Sequence, residues 1–258
     1  MDLRTYGQSP FTAAVLHGGP GATGEVAPLA RELSAERGVL EPLQTADSVE
    51  GQVAELKRTL EEHGHLPVAV IGYSWGAWLG YLLAARYPSL VRKLILVSSG
   101  PFEEKYATQI METRLHRLRP AEKKDVKLLM GNLDKPGALE TLGRFFLQTD
   151  VYDPLPMMGE DVEVRPDIYN KVWPEAAALR KSGKLAEAGK GIQCPVVAIH
   201  GDHDPHPAEG VRKPLSATLK DFKFILLDKC GHIPWQERQA RDEFLRILNR
   251  ELGKDPAP

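Results

Sequence analysis

Cysteine is scarce in this chain: Cys194 and Cys230 are the only two among 258 residues. Neither sits in a metal-type spacing, which argues against a disulfide scaffold or a zinc module and predicts two reduced thiols buried beside strands. Net charge is nearly absent too, at −2, so no bulk electrostatic attraction to nucleic acid or to an acidic membrane surface is expected. No apolar run approaches the roughly 20 residues that a bilayer demands. The opening MDLRTYGQSPF lacks the apolar core of a secretory signal. A cytoplasmic location is the resulting expectation. Repeats and low-complexity tracts are missing as well. What remains is an ordinary globular composition, 42% hydrophobic and 26% charged, long enough for one large domain or for a domain with an insertion.

Short apolar runs suited to buried strands recur at 12–16, 39–43, 68–71, 94–97, 196–199 and 224–227. Between the early ones lie segments of helical period. In 50–62, Val53, Leu56 and Leu60 share a face, and 77–87 is apolar on nearly all sides before Pro88. A final helix over 238–252 carries Phe244, Leu245, Ile247, Leu248 and Leu252, and the tail beyond Gly253 is expected to fray. Alternating strands and helices imply an α/β fold: a mostly parallel, doubly wound sheet. The alternation stops at Gly100. Charged amphipathic stretches follow at 105–119, 121–133, 138–147 and 174–188, with a Pro- and Met-rich loop at 152–166. Strand patterning resumes only at Pro195. The expected organisation is therefore a core of 1–100 and 191–258 with a helical cap at 101–190.

Between the strand at 68–71 and the helix at 77 stands Gly72-Tyr-Ser74-Trp-Gly76. Gly-x-Ser-x-Gly at a strand-to-helix turn is the nucleophile-elbow pattern, in which glycines remove Cβ atoms where backbone passes closely. The competing reading is a glycine-rich turn with an N-capping serine. A serine hydroxyl needs a base to take its proton, and the sequence offers one downstream. KCGHIPWQE places His232 after the strand at 224–227, and VVAIHGDHDPHP places two acids, Asp202 and Asp204, after the strand at 196–199. Asp204 lies farther into its loop and is the favoured partner, with Asp202 better placed to close the turn. The order Ser74, Asp204, His232 puts all three at carboxyl ends of strands, where open α/β sheets bind ligands. LHGGPG follows the first strand at 16–21. Its glycines can turn a backbone amide toward an oxyanion, so Gly19, with Gly18 second, and the amide of Trp75 are the expected donors. A phosphate loop is disfavoured because no Lys-Ser/Thr follows and Pro20 removes a donor. The dense group His200, Asp202, His203, Asp204 and His206 invites a metal reading. Residues on a sharp turn point apart, however, and no H-x-x-x-H helix supports it, so no metal is expected. Trp75 is expected to line the pocket and Trp78 to pack helix on sheet. Met157, Met158, Tyr169 and Trp173 could form an apolar acyl pocket or the insertion's own core.

HGGPG, GYSWG, HGDHDPHP and GHIPWQE occur in the order of the α/β-hydrolase superfamily with a helical cap, which the chain resembles over nearly its whole length. The resemblance implies a Ser74–His232–Asp204 triad, an oxyanion hole from Gly19 and Trp75, a substrate-shaping cap and no cofactor. HGGPG is particularly similar to the proline iminopeptidase branch. Glu41 to Gly51, however, lacks the D-x-R-G-x-G-x-S of that branch, and Tyr73 stands where it carries glycine. The leading β-hairpin usual in the family is expected to be missing or reduced. The expected activity is that of a serine hydrolase on a small-molecule ester or amide, with no nucleic-acid or membrane partner and with an oligomeric state that the sequence leaves open. The alternatives are an aminopeptidase, for which Glu160, Asp161, Glu163 or Glu175 would pair the substrate's amine, and a non-catalytic ligand-binding protein on the same fold.

Overall fold

The computed structural model describes residues 2–133, 135, 137–156 and 162–253. Seven strands form one sheet: β1 (Asp2–Tyr6), β2 (Phe11–Leu16), β4 (Gly38–Leu43), β5 (Val68–Tyr73), β6 (Val91–Val97), β8 (Val196–Gly201) and β9 (Phe222–Leu227). Their spatial order is β1-β4-β2-β5-β6-β8-β9. All neighbours run parallel except β1, which pairs antiparallel with β4. Two two-residue strands, β3 (Ala22–Thr23) and β7 (Glu163–Val164), pair with each other apart from the main sheet.

The six apolar runs of the sequence all became strands, and the sheet's two faces explain their continuity. Ala14, Leu16, Val70, Leu94, Leu96 and Ala198 point to one face. Ala13, Val15, Ile71, Ile95, Val97 and Ile199 point to the other. Both faces are covered, so successive side chains are buried alternately above and below and the run needs no polar residue. On the first face lie α2 (Val49–His63), α3 (Trp75–Arg86) and α9 (Glu209–Thr218); on the second lie α1 (Ala27–Leu33) and α10 (Arg241–Leu252). Every residue from Trp75 to Ala84 is buried, as the all-round apolar pattern of α3 requires.

β1 escaped sequence reading for a physical reason. It is an edge strand whose residues are all exposed or half-buried, so it carries no apolar run. β1 and β2 follow one another in the chain but do not pair, because β4 lies between them.

Among the described residues, five α-helices occupy the interval between β6 and β8: α4 (Glu104–Arg117), α5 (Pro120–Met130), α6 (Ala138–Asp150), α7 (Pro166–Lys181) and α8 (Lys184–Ala188). The sequence placed a single helix at 174–188. Instead Pro166 occupies the first turn of α7, Pro174 lies inside it, and a break at Gly183 separates α8. Proline is tolerated best in a helix's first turn, which made Pro174 look like a start; the true start is eight residues earlier. The loop expected at 152–166 also contains β7. Leu118, Val126 and Leu142 make a small core among α4, α5 and α6. Ile168, Val172, Ala176 and Leu185 join the main core instead. Among the described residues, no helix is long and apolar enough to cross a membrane.

Candidate active site

Register brings the carboxyl ends of the central strands to one rim. Leu16 pairs with Gly72, Tyr73 with Val97, Val97 with Ile199, and Gly201 with Leu227. The loops that follow β2, β5, β8 and β9 therefore start along the same rim, and they hold Gly19, Ser74, Asp204 and His232.

Ser74 sits in the turn between β5 and α3 with φ 51° and ψ −114°. A non-glycine residue at positive φ is strained, and the surrounding structure must hold it there. The turn is tight enough that a Cβ on Gly72 would fall on the Gly76 carbonyl, and one on Gly76 would come within 2.7 Å of the His17 carbonyl oxygen. The Ser74 side chain makes no capping hydrogen bond to α3, so the plain N-cap reading of this serine is not what the turn provides. Instead Ser74 lines a cavity of about 1030 Å³ together with Gly19, Trp75, Tyr169, His206 and His232. Among the described residues, no hydrogen bond joins the Ser74 hydroxyl to His232. Both face the same space.

His232 Nδ1 lies 2.7 Å from Asp204 Oδ2. Asp202 does something else: its Oδ1 accepts from the Cys230 N–H at 3.1 Å. That bond, with His203 N donating to Cys230 O at 2.8 Å, stitches the loop after β8 to the loop after β9. Burial alone would raise the Asp204 carboxyl, but the imidazoles of His232, His206 and His200 hold it well below the usual carboxylate range. Burial likewise opposes charge on His232, and Asp204 outweighs it, leaving the His232 pKa above its ordinary value. His232 is braced further by its backbone N–H on Asp150 O at 2.7 Å and by the Tyr73 ring, 5.1 Å away between centroids. The fully buried Glu237 accepts from Gly231 N and from Tyr152 N, both at 2.8 Å, tying the histidine loop to the end of α6.

On the β2 side, the Gly18 N–H donates to Glu25 Oε2 at 3.1 Å, so it is occupied. Gly19 follows at φ +107°, a conformation that favours glycine, and a Cβ there would meet the amide nitrogens of Gly21 and Ala22 at 2.7 Å. Trp75 is the first residue of α3, and its N–H belongs to the first turn, which has no intrahelical acceptor. Its indole Nε1 donates to Gln52 Oε1 at 2.9 Å and to Gln44 Oε1 at 3.1 Å. Buried His17, lowered by burial to about 4 and therefore neutral, accepts the Gln44 N–H at 3.1 Å and fixes the turn from below.

Three placements differ from the sequence expectations. The residues of 200–206 were expected to diverge, yet Asp204 and His206, with His232, bring ligand-capable atoms within 4.8 Å of one another. The loop curls so that His206 N and Nδ1 both reach Asp204 Oδ1, and both imidazole Nδ1 atoms are thereby engaged on the carboxylate. Trp78, expected only to pack, also lines the cavity; its Nε1 donates to Gly100 O, and Trp173 stacks on it at 5.9 Å. Tyr169 and Trp173 line the cavity as well, while Met157 and Met158 lie outside the described residues. Of the carboxylates considered for an amine, Glu160 and Asp161 also lie outside the described residues. Glu163 is exposed, and Glu175 accepts the Val49 N–H at 2.8 Å. Among the described residues, the carboxylates that line the cavity are Glu25 and Glu140. No motif marks Glu25, because only the fold sets it against Gly18. The thiol of Cys230 is buried and that of Cys194 half-buried, and both are free.

The family model described as "Alpha/beta hydrolase family" matches residues 1–247. The chain belongs to this family. Among hydrolase relatives, the pimeloyl-[acyl-carrier protein] methyl ester esterase of Chromobacterium violaceum is 27% identical over 205 residues, 75% of this chain and 73% of that one. Similar solved structures include VinJ (TM-score 0.74, 21% identity, covering 97% of this chain and 93% of that one). The proline iminopeptidase of Mycobacterium smegmatis gives a TM-score of 0.67 at 20% identity, again over 97% and 93%. The enol-lactonase of Burkholderia xenovorans gives 0.62 at 17%, over 97% and 95%. At such identities these structures establish the hydrolase fold and nothing finer.

Proposed function

We propose that this hydrolase cleaves a small ester or amide through an acyl-enzyme, with Ser74 as nucleophile, His232 as general base and acid, and Asp204 as the group that orients and stabilises the imidazole. The observation that carries the reading is the 2.7 Å His232–Asp204 pair opening onto the same cavity as a strained, uncapped Ser74. Ser74 Oγ attacks the carbonyl carbon as its proton passes to His232 Nε2. The Ser74–His232 hydrogen bond closes as the carbonyl binds, since catalytic hydrogen bonds commonly tighten only with substrate in place. The carbonyl oxygen gathers negative charge against the N–H groups of Gly19 and Trp75. His232 then protonates the departing oxygen or nitrogen, and afterwards deprotonates the water that releases the acid and restores the serine. Asp204 stays ionised throughout, in keeping with its lowered pKa. Segment 101–190 acts as the cap over a core of 1–100 and 191–258. Its Tyr169 and Trp173 shape the acyl site. The printed name of the Chromobacterium relative specifies an ester, which supports an ester here.

The test is Ser74→Ala on a p-nitrophenyl ester, with fluorophosphonate labelling of the folded wild type. Turnover should fall by up to about a million-fold, and the probe should label Ser74. Wild-type turnover in the variant would remove Ser74 as the nucleophile, and a folded wild type that the probe does not label and that turns over no ester would leave a ligand-binding role instead.

A second reading, an aminopeptidase, is favoured by one feature. Glu25 lines the cavity with Ser74, and among the described residues no Lys or Arg forms an ion pair with it. A substrate ammonium could supply the missing charge. Strong preference for Pro-β-naphthylamide over its N-blocked form and over simple esters, lost in Glu25→Gln, would move the assignment to this reading.

A further inference from the structure

Within the 200–206 loop, His206 alone lines the cavity, and the chemistry above gives it no task. Its Nδ1 lies 2.7 Å from Asp204 Oδ1, while its backbone N–H donates to the same oxygen at 2.9 Å. An ionised carboxylate only accepts, so the proton of that contact belongs to Nδ1. Burial lowers the His206 pKa to about 4, against the pull of Asp204. The ring is thus neutral at neutral pH, protonated on Nδ1 and bare on Nε2.

His232 hangs from the other oxygen of the same carboxylate. The two rings stack at 4.5 Å between centroids and 26° between planes. Each of the two nearly parallel imidazoles is bound through Nδ1 to one carboxylate, so each Nε2, on the far part of its ring, is turned away from Asp204, and both residues line the cavity. Among the described residues no group hydrogen-bonds to His206 Nε2, and 13% of the side chain remains exposed. A brace for Asp204 would need only the Nδ1–H. The ring provides in addition a fixed, unprotonated acceptor next to the general base.

The position of that acceptor selects what it meets. His232 Nε2 hands its proton to the leaving atom, so the leaving group lies against His232, and the stacked ring reaches the next heteroatom along it. We propose that His206 Nε2 accepts a hydrogen bond from an O–H or N–H carried two or three carbons from the leaving atom, so that the preferred substrates are esters or amides of polar, donor-bearing leaving groups rather than of simple alkyl ones. This rests on the Ser74–His232–Asp204 reading.

The experiment compares kcat/KM for the 2-hydroxyethyl and n-propyl esters of one acid, a pair that differs by hydroxyl against methyl at nearly constant size. It is run on wild type and on His206→Asn, whose amide can keep the donor to Asp204 but has nothing at the Nε2 position. The glycol oxygen is intrinsically the better leaving group, so the quantity read is the change in the ratio between the two proteins. The hydroxyethyl-to-propyl ratio should fall about three- to tenfold in the variant, the range for one neutral hydrogen bond. A change below twofold, whatever the loss in absolute rate, overturns the proposal and leaves His206 as a brace. Should His206→Asn not fold, His206→Phe, which keeps the stacked ring, carries the same comparison. A wild-type ratio at or below one overturns the proposal without any variant. Fluorophosphonate labelling separates the two levels. A labelled protein with an unchanged ratio loses only the role of His206. An unlabelled wild type that cleaves neither ester loses the triad, and this proposal with it.

Discussion

At the scale of single residues, the neighbouring acids Asp202 and Asp204 take different partners. Asp202 closes a turn on Cys230 N, and Asp204 reaches His232. Their positions in the loop were enough to favour Asp204, since a residue beside Gly201 is committed to the turn. Glu25 was not legible at all. Its neighbours in sequence, Gly24 and Val26, mark nothing, and its meaning comes from Gly18 and from the cavity wall. Burial raises its carboxyl from 4.5 to about 7, with His232 and the Gly18 N–H offsetting part of the effect. A carboxyl whose pKa is higher folded than unfolded binds its proton more tightly in the folded state. Its contribution is therefore present below the unfolded pKa and lost as pH rises through about 7. Glu25→Gln keeps an acceptor for Gly18 N–H and removes this slope. The variant should be more stable than wild type at pH 8, by on the order of 2 kcal/mol, and nearly equal to it at pH 4. Thermal unfolding at the two pH values reads the difference.

At the scale of elements, the strand–turn–helix of β5, Ser74 and α3 was readable because its demands are local: an apolar run, two small residues and an apolar helix. The glycines there are required by approach rather than by flexibility. Gly76→Ala should destabilise the protein by on the order of 2–4 kcal/mol, because the new methyl meets backbone carbonyls that cannot step aside. Gly143, inside α6, makes the opposite case, with nothing within 4 Å of the point where a methyl would stand. Gly143→Ala should stabilise by about 0.5–1 kcal/mol through helix propensity and a less flexible unfolded chain. Denaturant midpoints for the two variants should move in opposite directions. The elements misread from sequence, β1 and the start of α7, are those whose patterns lie at the surface or are punctuated by proline, where burial leaves little periodic trace.

At the scale of the whole molecule, the cavity is a joint product of the sheet rim and the helices laid over it. Trp78 from α3, Trp173 and Tyr169 from α7 form one stacked wall, with Arg180 over the Trp78 and Trp173 rings at 5.6 and 5.9 Å. Arg180 donates to Glu104 at 2.8 Å, so its charge is paired. Removing one slab should widen the site for the acyl chain. Trp173→Ala is expected to shift kcat/KM among p-nitrophenyl esters toward longer chains, by roughly fourfold for each added methylene the new space holds. A chain-length series on both proteins reads this directly, and an unchanged optimum would place the acyl group elsewhere in the cavity.

The sequence by itself determined the strand-and-helix alternation, the serine turn and the order of the three side chains proposed for catalysis. Each of these is written in residues a few positions apart, through burial on both sheet faces, close backbone approach and loop position. Only the tertiary structure decided which groups share the cavity. Glu25 against Gly18, His206 stacked on His232 and Trp173 on Trp78 are contacts between segments far apart in the chain or curled by a loop. Local pattern encodes whether a residue is buried, and not which distant residue it is buried against, because that choice is made by the packing of the whole sheet and its helices.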